Sequence, residues 1–188
     1  MVDWHKHHFR YDETTRRKNQ NPKEILISNG LKKDMICIDL GSNDGFFTIP
    51  AAKIVGSKGK VYALDVNKEA VNELIQKAKM ENLTNISASV GEAENFSLEN
   101  VKADFVFLGM VLHDFYNPTL SLSNAYKSLK KGGKLVNFDW KKTDTLMGPP
   151  FAKRLSEEEV SGLLKKTGFT NIEVKSYSDN YYIITANT

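Results

Sequence analysis

Short runs of apolar residues alternate along this chain with longer stretches in which apolar residues recur every three or four positions. The short runs are typical of buried strands, and the longer stretches are typical of amphipathic helices. Beyond residue 21 the pattern predicts five helices and seven strands. The strands are predicted at about residues 35–40, 60–65, 86–90, 105–108, 135–138, 172–177 and 181–186.

Residues that favour helix ends place the predicted helix boundaries. Helices are predicted to begin at Pro22, near Gly45, after Asn67, at Asn117–Pro118 and after Ser156, which forms a capping box with Glu159. Pro50 must lie in the first turn of the second helix or kink it. The first helix ends near Gly30, the segment 131–133 ends the fourth, and Gly168 ends the fifth.

Strands that alternate with helices predict an α/β domain. We expect a mostly parallel seven-stranded sheet with helices on both faces, followed by a C-terminal antiparallel hairpin that turns at Asp179–Asn180. This domain is predicted over residues 22–188, and residues 1–21 form a polar, basic N-terminal arm. The carboxyl ends of the parallel strands then meet at one edge, where open α/β sheets bind ligands.

Composition adds few constraints to this picture. The chain has 188 residues, 40% apolar and 26% charged, with a formal charge of +3, as expected for one globular domain without a strong nucleic-acid footprint. The single cysteine, Cys37, lies within the first strand and is expected to be a buried structural thiol. The sequence predicts no membrane span, and the polar N-terminus is unlike a signal peptide, so we expect a cytoplasmic protein.

The segment Ile36–Gly45 carries the clearest chemical pattern. An apolar run ends at Asp39 and turns through Gly41 and Gly45, and the second predicted strand ends in Asp65. This layout is typical of a pocket for a nucleoside cofactor. The dinucleotide pattern G-x-G-x-x-G fails because Asn43 and Phe46 occupy its second and third glycine positions, and no phosphate-binding G-K-[ST] follows.

The pattern resembles the class I S-adenosylmethionine-dependent methyltransferases, whose first motif, D-x-G-x-G-x-G, aligns with Asp39 to Gly45. The segments 129–135 (LKKGGKL) and 163–169 (LLKKTGF) are similar to two later family features, in the same order. The resemblance covers about residues 22–188. It implies a Rossmann-like fold and S-adenosylmethionine as the cofactor.

The resemblance also implies a set of cofactor-binding residues. Asp65 would hold the ribose hydroxyls, and Val66 with the Glu92–Ala93 pair would flank the adenine. Asn43 departs from the family's middle glycine, and although Asn tolerates unusual backbone angles, loss of cofactor binding is the alternative. The full predicted set is Asp39, Gly41, Ser42, Asn43, Gly45, Asp65, Val66, Glu92, Ala93 and Gly109.

His113 and Asp114 are the candidate catalytic residues. They follow the fourth strand, in a loop that borders the transferable methyl group in the family, and Asp114 could orient the imidazole. A general base is needed only if the methyl acceptor carries a proton, and the alternative for His113 is a capping or packing role. No metal site is predicted: Asp139 lacks the neighbouring Asp-Asn pair of metal-dependent catechol enzymes, and the arm's histidines, His5, His7 and His8, are expected to be solvated.

The sequence therefore predicts a methyltransferase with a small-molecule acceptor, nearest the branch that contains quinone-biosynthesis enzymes. One alternative is a protein or RNA methyltransferase that uses the basic arm (Lys6, Arg10, Arg16, Arg17 and Lys18). Another is a module that binds S-adenosylmethionine without turnover. The arm's aromatic residues suggest a lid over the pocket, and the oligomeric state is left open.

Overall fold

The computed structural model of the protein describes residues 13–98, 101–145 and 147–188. Seven strands form one sheet in the spatial order β3-β2-β1-β4-β5-β7-β6. The strands are β1 Ile36–Leu40, β2 Lys60–Asp65, β3 Ile86–Val90, β4 Ala103–Gly109, β5 Leu129–Trp140, β6 Thr170–Ser176 and β7 Tyr181–Asn187.

Six α-helices lie in the described part of the chain. They are α1 Glu13–Asn19, α2 Pro22–Ser28, α3 Thr48–Val55, α4 Lys68–Met80, α5 Pro118–Ser128 and α6 Glu157–Lys166. Short 3-10 turns cover Ala93–Asn95, Leu112–Asp114 and Phe151–Lys153. None of the described helices has the length and apolar character needed to cross a membrane.

The strand pairing confirms the predicted sheet. β1 lies between β2 and β4 and runs parallel to both, while β3 and β5 continue the parallel part on either side. β7 runs antiparallel to β5 and to β6, which forms the C-terminal hairpin. The hairpin turns between Ser176 and Tyr181, where Asp179–Asn180 was expected to lie.

Helices cover both faces of the sheet, as predicted. Leu26 of α2 and Ala52 of α3 belong to the apolar cluster on one face, and Leu122 of α5 and Leu164 of α6 belong to the cluster on the other. A central parallel strand is buried on both sides, which is why Phe105–Leu108 is a continuous apolar run without polar alternation.

Side-chain caps begin the helices, at the predicted Asn67, Asn117 and Ser156 and also at Asn21, which was not predicted as a cap. The side chains of Asn21, Asn67 and Asn117 each accept a backbone hydrogen bond from the first turn of α2, α4 and α5. Ser156 and Glu159 form both bonds of the capping box of α6. α3 begins at Thr48 rather than at residue 45, so Pro50 lies in its first turn and no kink is needed.

The predicted end of the fourth helix is wrong. The Lys-Gly-Gly segment was expected to end the fourth helix, but α5 ends at Ser128 and β5 already begins at Leu129, which pairs with Ala103. The backbone N–H of Gly132 donates to the carbonyl of Thr188, and the N–H of Thr188 donates to the carbonyl of Gly133, at 3.3 and 3.1 Å. Pairing with the end of the chain therefore draws the glycines into the strand, although their local preference is for a turn.

Part of the predicted arm is helical and packs on the domain. The guanidinium of Arg16 in α1 lies 3.8 Å from the ring centre of Phe46, and that of Arg17 lies 5.2 Å from it. Gln20 is buried, and its amide donates to the hydroxyl of Tyr181 at 3.1 Å. The arm's three histidines and its Lys6 and Arg10 lie outside the described residues.

Candidate functional site

The candidate site lies at the carboxyl ends of the parallel strands, where the strand order reverses between β1 and β4. Such a switch point opens a crevice, because the loops after the two strands turn toward opposite faces of the sheet. The loop after β1 supplies the predicted glycine motif, and the loop after β4 supplies the predicted catalytic pair.

Gly41 packs the loop after β1 against the loop after β4. Its φ is +78°, and an added Cβ would lie 2.7 Å from the Cβ of Val111, closer than real side chains approach. The backbone N–H groups of Gly41 and Ser42 both donate to the carbonyl of Leu64, at 2.8 and 3.0 Å. The glycine motif is therefore held between the ends of β2 and β4.

Asn43 adopts the left-handed conformation that its position in the motif requires, with φ +45°. Its backbone N–H donates to the Asp65 carboxylate at 2.7 Å, and the N–H of Asn67 donates to the other oxygen at 2.9 Å. Asn is among the few residues that adopt this conformation at low cost. The missing glycine has therefore not disrupted the loop, and the loop is tied to the predicted ribose-binding carboxylate.

The residues predicted to flank the adenine lie beside Asp65. The backbone N–H of Gly91 donates to the carbonyl of Asp65 at 2.9 Å, which brings the loop after β3 next to the end of β2. Val66 is 67% exposed, Glu92 is exposed, and Ala93 is buried beneath them. An uncovered valine beside an exposed carboxylate is suited to a ligand that has both an apolar ring and hydroxyl groups.

Asp39 is buried, unlike Asp65. The hydroxyl of Thr48 donates to its carboxylate at 2.6 Å. Burial raises the pKa of Asp39 to about 7, with a further increase from the negative charge of Asp65 and a partial offset from the Thr48 hydrogen bond. The group is therefore partly protonated near neutral pH.

The end of β4 is closely packed and strained. At Gly109 an added Cβ would lie 2.8 Å from the ring of Phe47, so only glycine fits. Met110 has a φ of +61°, and its N–H donates to the carbonyl of Phe138 at 2.8 Å. The left-handed conformation of a methionine costs about 1–3 kcal/mol of conformational free energy and persists only where the surrounding structure requires it. Such strained residues are often found at functional sites.

His113 lies between two carboxylates. Its Nδ1 is 2.7 Å from Asp139 at the end of β5, and its Nε2 is 3.4 Å from Asp114. The prediction paired the imidazole with Asp114; the structure retains that contact but adds the shorter one to Asp139. Sequence reasoning missed this partner because only the pairing of β4 with β5 brings residues 113 and 139 together.

Burial and charge oppose each other at His113. Burial lowers the pKa of the imidazole, but the carboxylates of Asp139 and Asp114 outweigh this effect and raise it to about 10. Partial burial raises the pKa of Asp114, but its contacts with His113 and Lys153 outweigh this and hold it well below its usual range. At neutral pH the imidazole is therefore protonated.

Other possible ligand sites are less suited to this chemistry. No group of three or more His, Cys, Asp or Glu side chains able to hold a metal ion occurs among the described residues. A cleft of about 310 Å³ is lined by Lys102, Tyr126 and Lys131, at the other end of the parallel strands, and a cleft of about 410 Å³ is lined by Lys18, Tyr177 and neighbouring residues. Neither cleft contains the glycine motif or Asp65.

The residues at the glycine motif fit S-adenosylmethionine rather than a dinucleotide. The Ser42 hydroxyl is buried and lacks a hydrogen-bond partner among the described residues, while Asp65 is half-buried and Val66 is exposed. Carboxylates at Asp39 and Asp65 would repel a pyrophosphate but attract a cationic sulfonium ligand. The structure brings all ten predicted cofactor residues to one edge of the sheet, and their individual roles remain predictions.

Comparison with known proteins identifies the class. Residues 31–179 match a protein family described as a methyltransferase domain. A solved structure of an S-adenosylmethionine-dependent methyltransferase from Aquifex aeolicus is 30% identical, with a TM-score of 0.87 and coverage of 94% of each chain. The protein thus belongs to the S-adenosylmethionine-dependent methyltransferases.

Within that class, the chain is similar to demethylmenaquinone methyltransferases. The demethylmenaquinone methyltransferase of Geobacillus sp. (strain WCH70) is 28% identical in an alignment that covers 83% of this chain and 78% of that protein. The phosphoethanolamine N-methyltransferase 2 of Haemonchus contortus, solved with S-adenosylmethionine, is 17% identical with a TM-score of 0.77. The superposition covers 90% of this chain and 52% of the Haemonchus chain. The second likeness concerns the fold alone.

The backbone of Asn43 gives a first prediction. Replacing Asn43 by Gly should leave the affinity for S-adenosylmethionine within about threefold of the wild-type value. Asn43→Ala should cost about 1–2 kcal/mol in folding stability and cofactor-binding free energy together, because an ordinary side chain resists the left-handed conformation. Calorimetric titration with the cofactor and thermal unfolding together measure this cost.

Asn171 provides the matched control, since it has a φ of +49° on β6, away from the site. Asn171→Ala should lower stability without changing cofactor affinity. Wild-type affinity and stability in Asn43→Ala would show that the loop does not depend on this conformation.

The raised pKa of Asp39 gives a second prediction. Between the ordinary pKa of about 4 and the folded value of about 7, the folded protein holds a proton that the unfolded chain has lost, so this group's contribution to stability decreases as pH rises through that window. Asp39→Asn should remove this decrease, which denaturant unfolding at several pH values measures.

The same proton gives a binding readout. A cationic ligand close to Asp39 lowers the pKa of the carboxyl, so binding of S-adenosylmethionine at about pH 6 should release close to one proton. Calorimetry in buffers with different ionisation enthalpies counts that proton, and Asp39→Asn should abolish its release. Equal proton release by the two proteins would exclude Asp39 as its source.

Proposed function

We propose that this methyltransferase acts on a low-molecular-weight acceptor of the quinol type. The proposal rests chiefly on the similarity to a demethylmenaquinone methyltransferase over three quarters of that protein's length. The aromatic side chains at the carboxyl end of β5 are buried and fix the end of this strand: the rings of Trp140 and Tyr181 lie 4.6 Å apart, and those of Phe138 and Tyr181 lie 5.3 Å apart.

The proposed cofactor contacts follow from the arrangement at the glycine motif. We assign the ribose hydroxyls to Asp65, the adenine to Val66 and the Glu92–Ala93 pair, and the methionine part to the loop from Gly41 to Gly45. When bound, S-adenosylmethionine supplies an electrophilic methyl group on its sulfonium. Asp39 and Asp65 provide negative charge on the side of the sheet edge where this cation would be held.

The chain's main contribution to the reaction is orientation. Methyl transfer is an in-line displacement, so placing the acceptor atom opposite the methyl group can supply much of the rate. The left-handed Met110 and the packed Gly109 fix the loop after β4, which borders the transferable methyl group in the family. We infer that this loop and the end of β5 form the acceptor side of the site.

We also propose that the N-terminal arm, residues 1–21, covers this edge. The guanidinium groups of Arg16 and Arg17 lie over Phe46, directly after the glycine motif, so these two charges of the basic arm contact the proposed cofactor loop. This contact supports a lid and gives no support to the RNA-binding alternative. The cytoplasmic location also remains a prediction from the sequence.

The acceptor is tested with a short-chain reduced demethylmenaquinone and S-adenosylmethionine. We expect formation of S-adenosylhomocysteine together with a product that is heavier by one methylene, both measured by mass spectrometry. Omitting the reductant, which leaves the quinone form, should abolish turnover.

A panel of phenols and catechols serves as the comparison. Turnover of these compounds with none of the quinol would contradict the quinol assignment, while cofactor binding would still support the methyltransferase class. Asp65→Ala, which should weaken cofactor binding by about 1.5–3 kcal/mol for each hydrogen bond lost, controls for turnover by a contaminating enzyme.

The lid is tested by removing residues 2–12 and leaving α1 in place. We expect several-fold weaker acceptor binding or faster cofactor dissociation, with little loss of thermal stability, because Gln20 and its buried hydrogen bond are retained. A variant with a Gly/Ser segment of the same length separates the effect of the side chains from that of chain length. Unchanged cofactor affinity and turnover in both variants would rule out the lid.

A further inference from the structure

Four side chains of alternating charge connect the loop after β4 to the segment after β5. Asp139 contacts His113 at 2.7 Å, His113 contacts Asp114 at 3.4 Å, and Asp114 contacts Lys153 at 3.0 Å. The side chains of Asp139 and His113 are 2% and 5% exposed, whereas those of Asp114 and Lys153 are 38% and 45% exposed. The series therefore runs from the interior to the surface beside the proposed acceptor site.

Both ring nitrogens of His113 face a carboxylate oxygen. A neutral imidazole has one N–H, so one of its nitrogens would present a lone pair to an anion. In a site with little solvent this arrangement is costly, whereas a protonated ring donates toward both carboxylates. The geometry therefore favours the imidazolium, in agreement with its raised pKa.

The other polar groups near this series do not change that assignment. Tyr182 of β7 pairs with Asp139, but its hydroxyl donates to the carbonyl of Leu155 at 3.1 Å. The second oxygen of Asp139 is buried and has no hydrogen-bond partner among the described residues. A neighbouring cation is therefore needed to stabilise the negative charge of this carboxylate. Arg154 is buried and its charge also acts on Asp139, but its guanidinium donates to backbone oxygens and to the Thr145 hydroxyl rather than to the Asp139 carboxylate.

Arg154 orders the segment after β5, which Lys153 joins to the loop after β4. Its guanidinium donates to the carbonyl oxygens of Pro149, Lys141 and Thr143 at 2.8, 3.2 and 2.9 Å, and also to that of Met147. One cation thus gathers the backbone of the segment after β5. The contact between Lys153 and Asp114 then joins this ordered segment to the loop after β4.

We propose that His113 is a positioning residue, a fixed cation between Asp139 and Asp114. Asp139 holds the imidazole on one side, and Lys153 holds Asp114 on the other. Together these contacts keep the acceptor side of the site in place. The proposal rests on the function proposed above, since it assigns these residues to the acceptor side. It replaces the role of proton acceptor for His113. An acceptor that must lose a proton would then be bound as its anion or lose the proton to solvent.

The protonation state of His113 is measured by ring-nitrogen NMR of the protein without ligands. The spectrum of His113→Gln identifies its signals among those of the four histidines. We expect His113 to remain an imidazolium at about pH 8, well above the ordinary histidine pKa of about 6.5. In Asp139→Asn the titration should move toward the ordinary value, and titration of wild-type His113 near 6.5 would overturn the proposal.

The positioning role is measured by amide hydrogen exchange across residues 110–115. Lys153→Met should speed exchange in this loop, and Lys153→Arg should restore protection. Lys130→Met is the matched control, because Lys130 pairs with Asp104 at 2.7 Å with similar exposure, near the start of β4. Equal exchange in the wild type and Lys153→Met would contradict the positioning role.

Kinetics separate positioning from proton transfer. With a quinol acceptor, Lys153→Met should raise the acceptor KM more than it lowers kcat, with cofactor affinity within about twofold. A general base would instead give His113→Gln a loss in kcat of about 10²–10⁴ and a decrease in wild-type activity below about pH 6.5. The NMR and exchange results do not require an acceptor, so failure of the quinol assignment would be recognised separately.

Discussion

The placement of β1 between β2 and β4 is the constraint on which the site depends. Parallel pairing on both sides brings the carboxyl ends of three strands together. The loop after β1 must then pass between the ends of the other two, where there is no room for a side chain. Gly41 meets this requirement, since its N–H bonds to the end of β2 while Val111 occupies the space where a Cβ would lie. The bond from the Asn43 N–H to Asp65 extends the same connection to the cofactor side.

The two aspartates beside the glycine motif, Asp39 and Asp65, have opposite environments. Asp39 is buried against Thr48 and partly protonated near neutral pH, whereas Asp65 lies at the surface and accepts two backbone N–H groups. We expect a cationic cofactor held near Asp39 to lower the pKa of this carboxyl and so to restore the negative charge that burial suppresses. We therefore expect cofactor binding and the protonation of Asp39 to be linked, while the ribose contact that we propose is made by Asp65.

The sequence was sufficient to predict local structure wherever one short signal decided it. Apolar runs located the strands, and Asn67 and Ser156 located the helix starts, because strand burial and capping act over a few residues. The start of β5 at Leu129 was not predictable in this way, since it depends on pairing with Ala103 and on the distant Thr188. The contact between His113 and Asp139 was missed for the same reason: it exists only after β4 and β5 pair.

The most direct test of this account is a crystal structure of the protein with S-adenosylhomocysteine. The account predicts the ribose hydroxyls on the Asp65 carboxylate, the adenine against Val66, and the amino-acid part along the loop from Gly41 to Gly45. It also predicts that His113 remains between Asp139 and Asp114 in the complex. A ligand bound away from the glycine motif, or a ribose that does not contact Asp65, would contradict the account.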